Sequence, residues 1–186
     1  IRNDYLISSI NDENMNFVFT ISRLLKIRKK HFIDAMQTFK GLPHRFETFL
    51  SKGNTTFIND SKATSFSASK YALSSLKNIY WIIGGLPKKG DKLNFKPFKK
   101  NIIKSYIIGK HINFFKKQIK GRLPFSTTKN LEKSIIQILK DSKLKKNGKK
   151  FVLLSPSAAS FDQFNNFERR GLEFKKLSKK YARKLL

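Results

Sequence analysis

The chain opens with two amphipathic stretches. Apolar residues recur at helical spacing within residues 12–28 and again within residues 30–39. Gly41 and Pro43 follow the second stretch, where glycine ends a helix and proline prevents it from resuming. The pattern predicts two helices with too little apolar face to stand alone, so we expect residues 1–42 to belong to a preceding domain.

Beyond residue 43 the pattern changes to short apolar runs separated by helical stretches. Residues 48–58 contain two β-prone segments around Lys52-Gly53-Asn54, which favours a hairpin. Continuous apolar runs, typical of buried parallel strands, cover residues 79–83, 106–109 and 151–154. Helical periodicity covers residues 65–76, 95–103, 112–119, 128–139 and 164–186, and a charged connector occupies residues 140–150. This alternation predicts a doubly wound α/β domain over residues 43–186, with a leading hairpin and a mostly parallel sheet.

Three polar loops follow predicted strands. They are residues 59–64, 84–90 and 155–160. In an open α/β sheet, ligands bind beyond the carboxyl ends of the strands. If the three loops meet at one sheet edge they form a site, whereas scattered loops would be connectors.

The first of these loops also carries candidate chemistry. The predicted hairpin would bring Arg45 near Asp60 and Lys62. A guanidinium can bind phosphate with two parallel hydrogen bonds, a carboxylate can accept from a ribose hydroxyl, and an ammonium can offset developing charge. The three side chains together are what a nucleotide-phosphate site needs.

The net charge of +28 at first favours a nucleic-acid-binding protein. However, only 8 of the 40 basic residues are Arg, and the Lys residues are spread along the whole chain. That distribution is typical of A/T-rich codon usage and not of one basic stripe. We therefore expect no specific nucleic-acid partner, and at most weak salt-sensitive binding.

Several classes of protein lack support in the sequence. There is no apolar run near the roughly 18 residues of a membrane span, no signal-peptide pattern and no Cys, so we expect a cytoplasmic protein without a membrane partner. The motifs G-x-x-x-x-G-K-[ST], H-E-x-x-H and G-x-S-x-G are absent, and His31, His44 and His111 lie far apart. We expect no metal site in this chain. Because it begins at Ile1 and not at Met, we expect further sequence upstream.

Five blocks in order resemble the Mur ligase family, and within it the members that add D-glutamate. The blocks are Asn11-x-x-Asn14 before the first helix, Gly41 to Glu47, Asn59 to Thr64, the weaker Gly84-Gly85-x-x-Lys88, and Ser155 to Gly171. They extend over nearly the whole chain, and the last block is highly specific. Two departures are Ile10, where the family usually has His, and Ser157, where it usually has Cys.

The resemblance implies a Rossmann-like C-terminal domain over residues 43–186 and the tail of the central ATP-binding domain over residues 1–42. It implies an ATP-dependent ligase, expected to be a monomer, that joins D-glutamate to UDP-N-acetylmuramoyl-L-alanine, with Mg²⁺ ligands mainly upstream. ATP-binding positions would be Asn11, Asn14, Arg45 and Asp60. Positions around D-glutamate would be Lys62, Thr64, Lys88, Ser160, Phe161 and Phe167.

Simpler roles for these residues and other functions stay open at this point. Ser160 with Asp162 could cap the last helix, Phe161 and Phe167 could be core residues, and Lys62 could be a solvated lysine. The alternative functions are a sister Mur or folylpolyglutamate ligase, which adds another amino acid, and a basic nucleic-acid-binding module. The absence of a D-N-P-R motif and the Phe-rich segment after Ser160 favour D-glutamate.

Overall fold

The computed structural model describes residues 3, 6, 9–144 and 148–186, with side chains from residue 14 onward in the first helix. The chain divides into two compact units, Ile1–Leu42 and Pro43–Leu186. None of the helices in these described ranges has the length and apolar content that crossing a membrane requires.

The first unit contains the two predicted helices, α1 (Ser9–Leu24) and α2 (Lys29–Thr38). The rings of Phe19 and Phe32 meet edge to face, with their centroids 5.5 Å apart. The placement of Asn11 and Asn14 before the first helix was wrong, because both lie within α1. The prediction followed the apolar periodicity, which starts only after the polar first turns of the helix.

The second unit is built on a six-stranded sheet in the order β1-β2-β6-β3-β4-β5. β1 pairs antiparallel with β2, and all the other pairs are parallel, which confirms the leading hairpin and the mostly parallel sheet. The strands are β1 (Glu47–Lys52), β2 (Thr55–Asn59), β3 (Ile79–Gly84), β4 (Ile102–Ile108), β5 (Phe125–Lys129) and β6 (Lys150–Leu154). The helices are α3 (Phe66–Ser75), a 3-10 helix (Lys96–Asn101), α4 (Ile112–Ile119), α5 (Leu131–Leu144) and α6 (Phe167–Leu185).

Two apolar layers cover the two faces of the sheet. Successive residues of β3 alternate between them: Trp81 and Ile83 face one layer, and Tyr80 and Ile82 the other. α3, the 3-10 helix and α4 contribute to the first layer, and α5 and α6 contribute to the second. Because both faces are covered, the central strands read as continuous apolar runs in the sequence.

Several boundaries predicted for the second unit were wrong, and the errors that follow have a physical cause. Thr128 belongs to β5, an edge strand that escaped prediction because it is short, polar and partly exposed. α5 runs on to Leu144, so the connector expected over residues 140–150 is shorter, and β6 begins at Lys150. The Lys150 ammonium is buried and donates to the carbonyl of Ser142 at 2.8 Å, which lets a lysine start a buried strand.

Two further boundary errors concern β4 and α6. The helix predicted over residues 95–103 ends at Asn101, because Ile102 and Ile103 belong to β4. β4 begins at Ile102, directly after the 3-10 helix, and therefore includes polar residues that precede the apolar run at 106–108. α6 begins at Phe167 and not at residue 164, because the side chain of Asn166 accepts from the backbone N–H of Arg169 and so caps the helix.

Candidate functional site

The three polar loops meet at the carboxyl edge of the sheet, so of the two possibilities that the sequence left open they form a site and are not scattered connectors. We call them the β2 loop (residues 59–64), the β3 loop (residues 84–90) and the β6 loop (residues 155–160). The Asp60 N–H donates to the Leu154 carbonyl at 2.8 Å, which joins the β2 loop to the end of β6. Leu86 and Ala159 exchange two backbone hydrogen bonds of 2.9 and 3.0 Å, which join the β3 loop to the β6 loop.

Two consecutive glycines allow this close approach of the β3 loop. Gly84 and Gly85 have φ angles of +132° and +136°, which L side chains rarely adopt. A Cβ on Gly84 would lie 2.1 Å from the carbonyl oxygen of Ile108, and one on Gly85 would lie 2.3 Å from that of Ala159. Gly84 therefore lets the end of β3 lie close to the end of β4, and Gly85 lets the β3 loop contact the β6 loop.

Asp60 is a buried residue of the β2 loop and connects this loop to the β6 loop. Its Oδ2 accepts from the Ser155 hydroxyl at 2.7 Å, and its Oδ1 accepts from the backbone N–H of Phe46 at 3.1 Å. Burial raises the pKa of Asp60 to about 6, against the opposing effects of Ser155, the Phe46 N–H and the charge of Arg45. Arg45 itself is exposed. The predicted proximity of Arg45 and Asp60 is therefore present.

A polar network behind the β2 loop fixes its backbone. The side-chain amide of Asn59 forms hydrogen bonds with the His44 ring at 2.9 Å and with Glu47 Oε2 at 3.1 Å. The backbone N–H of His44 donates to the same carboxylate oxygen at 3.0 Å. The ammonium of Lys175 in α6 forms an ion pair with the other oxygen of Glu47. Burial opposes ionisation, but Lys175 and the His44 N–H hold the pKa of Glu47 below its ordinary value. The network ties the loop to both β1 and α6.

Lys62 is not a freely solvated lysine. Its Nζ lies 3.9 Å from the centroid of the Phe167 ring, which is close enough for a cation–π interaction. Phe167 is half-buried and also meets the His44 ring edge to face at 6.0 Å. The first residue of α6 thus positions an ammonium at the sheet edge.

Ser160 is buried, and its hydroxyl has no hydrogen-bond partner among the described residues. It does not cap α6, because Asn166 does so. A buried hydroxyl without a partner is uncommon in folded proteins and calls for an explanation.

Exposed side chains surround these buried groups. Thr64 and Lys88 are exposed, and Phe161 is 69% exposed and therefore not a core residue. With Arg45, these side chains are open to a ligand without any change in the fold.

The predicted adenine-binding pair belongs to the other compact unit. Asn14 is exposed on α1, whereas the side chain of Asn11 lies outside the described part of the chain. The other eight predicted site residues all belong to the second unit. Within the described ranges no three His, Asp or Glu side chains form a group that could hold a metal ion.

Sequence reasoning missed the residue that holds the loops together. Arg170 in α6 is 1% exposed and donates from Nη2 to the carbonyls of Ser61 and Ala158, at 2.8 and 3.0 Å. Its Nε donates to the Ser61 hydroxyl at 3.0 Å. In the sequence Arg170 is one of 40 basic residues and stands beside exposed Arg169, so composition gave no signal for it.

Comparison with known proteins agrees with this arrangement. No family model matches the chain. The chain is 38% identical over 164 residues to a UDP-N-acetylmuramoylalanine–D-glutamate ligase from Rhizobium meliloti, an alignment that covers 88% of this chain and 35% of the relative. It is 35% identical over 175 residues to the ligase of the same name from Rickettsia felis, which covers 94% of this chain and 39% of the relative.

The fold is also found in a solved structure. MurF from Acinetobacter baumannii superposes with a TM-score of 0.64 at 10% identity, covering 91% of this chain and 38% of that one. The chain spans little more than a third of the length of the curated relatives. Over about nine-tenths of its own length the chain is therefore similar to part of these D-glutamate ligases, and it shares its α/β fold with MurF.

Proposed function

We propose that this chain forms the amino-acid-binding part of a cytoplasmic, monomeric, ATP-dependent ligase that joins D-glutamate to UDP-N-acetylmuramoyl-L-alanine for peptidoglycan synthesis. The observation that carries the proposal is the convergence of three polar loops at one sheet edge, in a chain whose relatives bear the name of that ligase. The division at residue 42 supports a further assignment: residues 1–42 are the end of the central ATP-binding domain, and residues 43–186 are the C-terminal domain.

D-Glutamate carries two carboxylates and one amine, and the sheet edge offers matching groups. Lys62 and Lys88 supply positive charge, and the hydroxyls of Thr64 and Ser160 can donate to carboxylate oxygens. Phe161 and Phe167 supply apolar surface beside them. The unpartnered Ser160 hydroxyl supports this role, since a bound carboxylate would satisfy it.

Arg45 and Asp60 are proposed to face the nucleotide, together with Asn11 and Asn14 from the first unit. Arg45 is exposed and lies beside the buried carboxylate of Asp60. That carboxylate restrains the backbone at Phe46, so the backbone next to Arg45 is held in place. ATP supplies the phosphoryl group that converts the muramoyl-peptide carboxylate into an acyl phosphate. No magnesium ligand is assigned to this chain, since the described residues contain no suitable cluster.

In the proposed reaction the amine of D-glutamate attacks the acyl carbon, and phosphate leaves as the amide forms. The residues of this chain hold both carboxylates of D-glutamate and so direct the amine toward that carbon. Such positioning replaces a bimolecular encounter by a reaction within one complex, and effective molarities can reach 10⁵–10⁸ M for well-oriented groups. The chain supplies orientation and charge, and no covalent step passes through it.

The test uses the complete ligase that contains this chain, with ATP, Mg²⁺, UDP-N-acetylmuramoyl-L-alanine and D-glutamate. We expect phosphate release that requires D-glutamate, and no reaction with L-glutamate or L-lysine in its place. The 186-residue chain alone should give no product. If the complete protein releases no phosphate but binds nucleic acid tightly and selectively near physiological salt, the proposal is overturned.

A further inference from the structure

Arg170 is the most deeply buried cation among the described residues. It is 1% exposed, in the first turns of α6, and makes three hydrogen bonds to backbone and hydroxyl oxygens at 2.8–3.0 Å. No carboxylate of the described residues lies within ion-pair distance of it. A buried, charged guanidinium without an ion pair is costly, so its retention calls for a role.

The guanidinium touches all three loops of the site. Arg170 donates to Ser61 of the β2 loop and to Ala158 of the β6 loop. The β3 loop lies against the third nitrogen, since a Cβ on Gly85 would lie 3.1 Å from Nη1. Ser61 also contacts the start of α6, because its hydroxyl donates to the Phe167 carbonyl at 2.8 Å. One side chain therefore sets the relative positions of the loops and of Phe167.

The positive charge of Arg170 has no ion-pair partner among the described residues. Burial lowers its pKa to about 10, which leaves the guanidinium protonated at neutral pH, and the charge of Asp162 opposes that lowering. The Asp162 carboxylate, whose Oδ2 accepts from the backbone N–H of Lys110 at 2.8 Å, offsets part of this charge without forming an ion pair. A buried guanidinium beside the loops favours an anion at the site.

Two unsatisfied polar atoms lie at these loops, one on Ser160 in the β6 loop and one on Arg170 in the first turns of α6. Arg170 Nη1 and Ser160 Oγ are both buried and have no hydrogen-bond partner among the described residues. Two further such atoms, in Ser105 and Ser178, lie in β4 and in the middle of α6 and not in the loops. Arg170 and Ser160 together therefore offer a positive charge and two polar atoms that are not yet hydrogen-bonded within the described chain.

We propose that Arg170 is a positioning residue that makes this site selective for a dicarboxylate amino acid. It holds the three loops at one spacing, and its unpaired charge favours the second carboxylate of the ligand over a neutral amide of the same shape. This inference rests on the proposed function, because it names what distinguishes D-glutamate from its neutral analogue at that site.

The test measures selectivity in the complete ligase. The KM for D-glutamate is compared with the inhibition constant of D-glutamine, which has the same shape and one charge fewer. Replacing Arg170→Gln removes the charge and should reduce the preference for D-glutamate about tenfold, the effect of losing a favourable interaction with one charged group. Arg169→Gln, at the exposed neighbour, removes the same charge from the surface and should leave the preference unchanged.

Arg170→Lys separates charge from geometry. Lysine keeps the charge but cannot reproduce the planar fork, so it should retain the preference while raising the KM for D-glutamate about fivefold and the KM for ATP less than twofold. If Arg170→Gln does not fold, Arg170→Lys carries the test. An equal rise in both KM values, or an unchanged preference in Arg170→Gln, would show a purely structural residue and overturn the inference. If the unmodified ligase does not use D-glutamate at all, the proposed function fails instead.

Discussion

The candidate site has a buried floor and an exposed rim, and the two differ in how they are held. The floor consists of Asp60, Ser61, Ser160 and Arg170, each at most 9% exposed. The rim consists of Arg45, Thr64, Lys88 and Phe161, which are all exposed. The side chains of Asp60, Ser61 and Arg170 form hydrogen bonds to neighbouring segments, whereas rim residues extend from loops that are already fixed. Changes at these three floor residues should therefore affect both folding and ligand use, and changes in the rim should affect ligand use alone.

The largest expected effect is on the floor and concerns stability. A carboxyl pKa that rises from 3.8 to about 6 on folding makes the folded state less stable, by about 3 kcal/mol once the carboxyl is ionised. The stabilising contribution of protonated Asp60 is complete below pH 3.8 and is lost as the pH rises through about 6. Asp60→Asn removes this ionisation, so the variant should gain stability relative to the original chain between about pH 4 and pH 7.

Urea unfolding of the original chain and of the Asp60→Asn variant across this pH range measures the difference in their free energy of unfolding. The exposed Asp34→Asn variant is the control for removing one negative charge. A stability difference for Asp60→Asn that does not change with pH would mean that the carboxyl of Asp60 is not buried as the structure describes.

The next effect is on the rim. Lys88→Ala should lower kcat/KM for D-glutamate by about one to two decades and that for ATP much less, because it removes a charge-assisted contact to one substrate. The melting temperature should not change, since Lys88 is exposed. Lys89→Ala, at the next exposed lysine, is the matched control. Equal losses for both substrates would assign Lys88 a structural role.

A smaller effect is expected at Arg45. Arg45→Lys keeps the charge but loses the two-pronged contact with phosphate, so kcat/KM for ATP should fall about tenfold with little change in stability. Steady-state kinetics of the complete ligase with varied ATP measures this. An unchanged kcat/KM would mean that Arg45 serves only as a charge beside Asp60 and would remove it from the nucleotide site.

The smallest effect is expected at Ser160 in the floor, where a substitution should change ligand use without lowering stability. Ser160→Ala removes a hydroxyl that has no partner among the described residues, so the melting temperature should stay constant or rise. The KM for D-glutamate should nevertheless rise about threefold to tenfold, through the loss of one hydrogen bond to the ligand. Ser178→Ala removes a similarly unpartnered hydroxyl from α6 and should leave that KM unchanged. Equal KM values for both variants would contradict a ligand role for Ser160.

Much of the second unit could be predicted because its local signals agree with one another. The hairpin at Lys52-Gly53-Asn54, the apolar strands β3 and β6 and the helix α4 each have the turn residues or periodicity that their structure requires. The polar edge strand β5 lacked such a signal and was missed. The site loops were also found from the sequence, because their place after parallel strands follows from the topology.

The sequence by itself determined the alternation of strands and helices, the polar loops at the strand ends and the family resemblance. Only the tertiary structure decided that Asp60 is buried, that Lys62 lies over Phe167 and that Arg170, but not its neighbour Arg169, enters the core of the site. The reason is physical: periodicity reports which face of an element is apolar, but it does not report which polar side chain finds partners on other elements. Arg170 is buried because oxygens from residues 61 and 158, distant in the sequence, converge around its guanidinium.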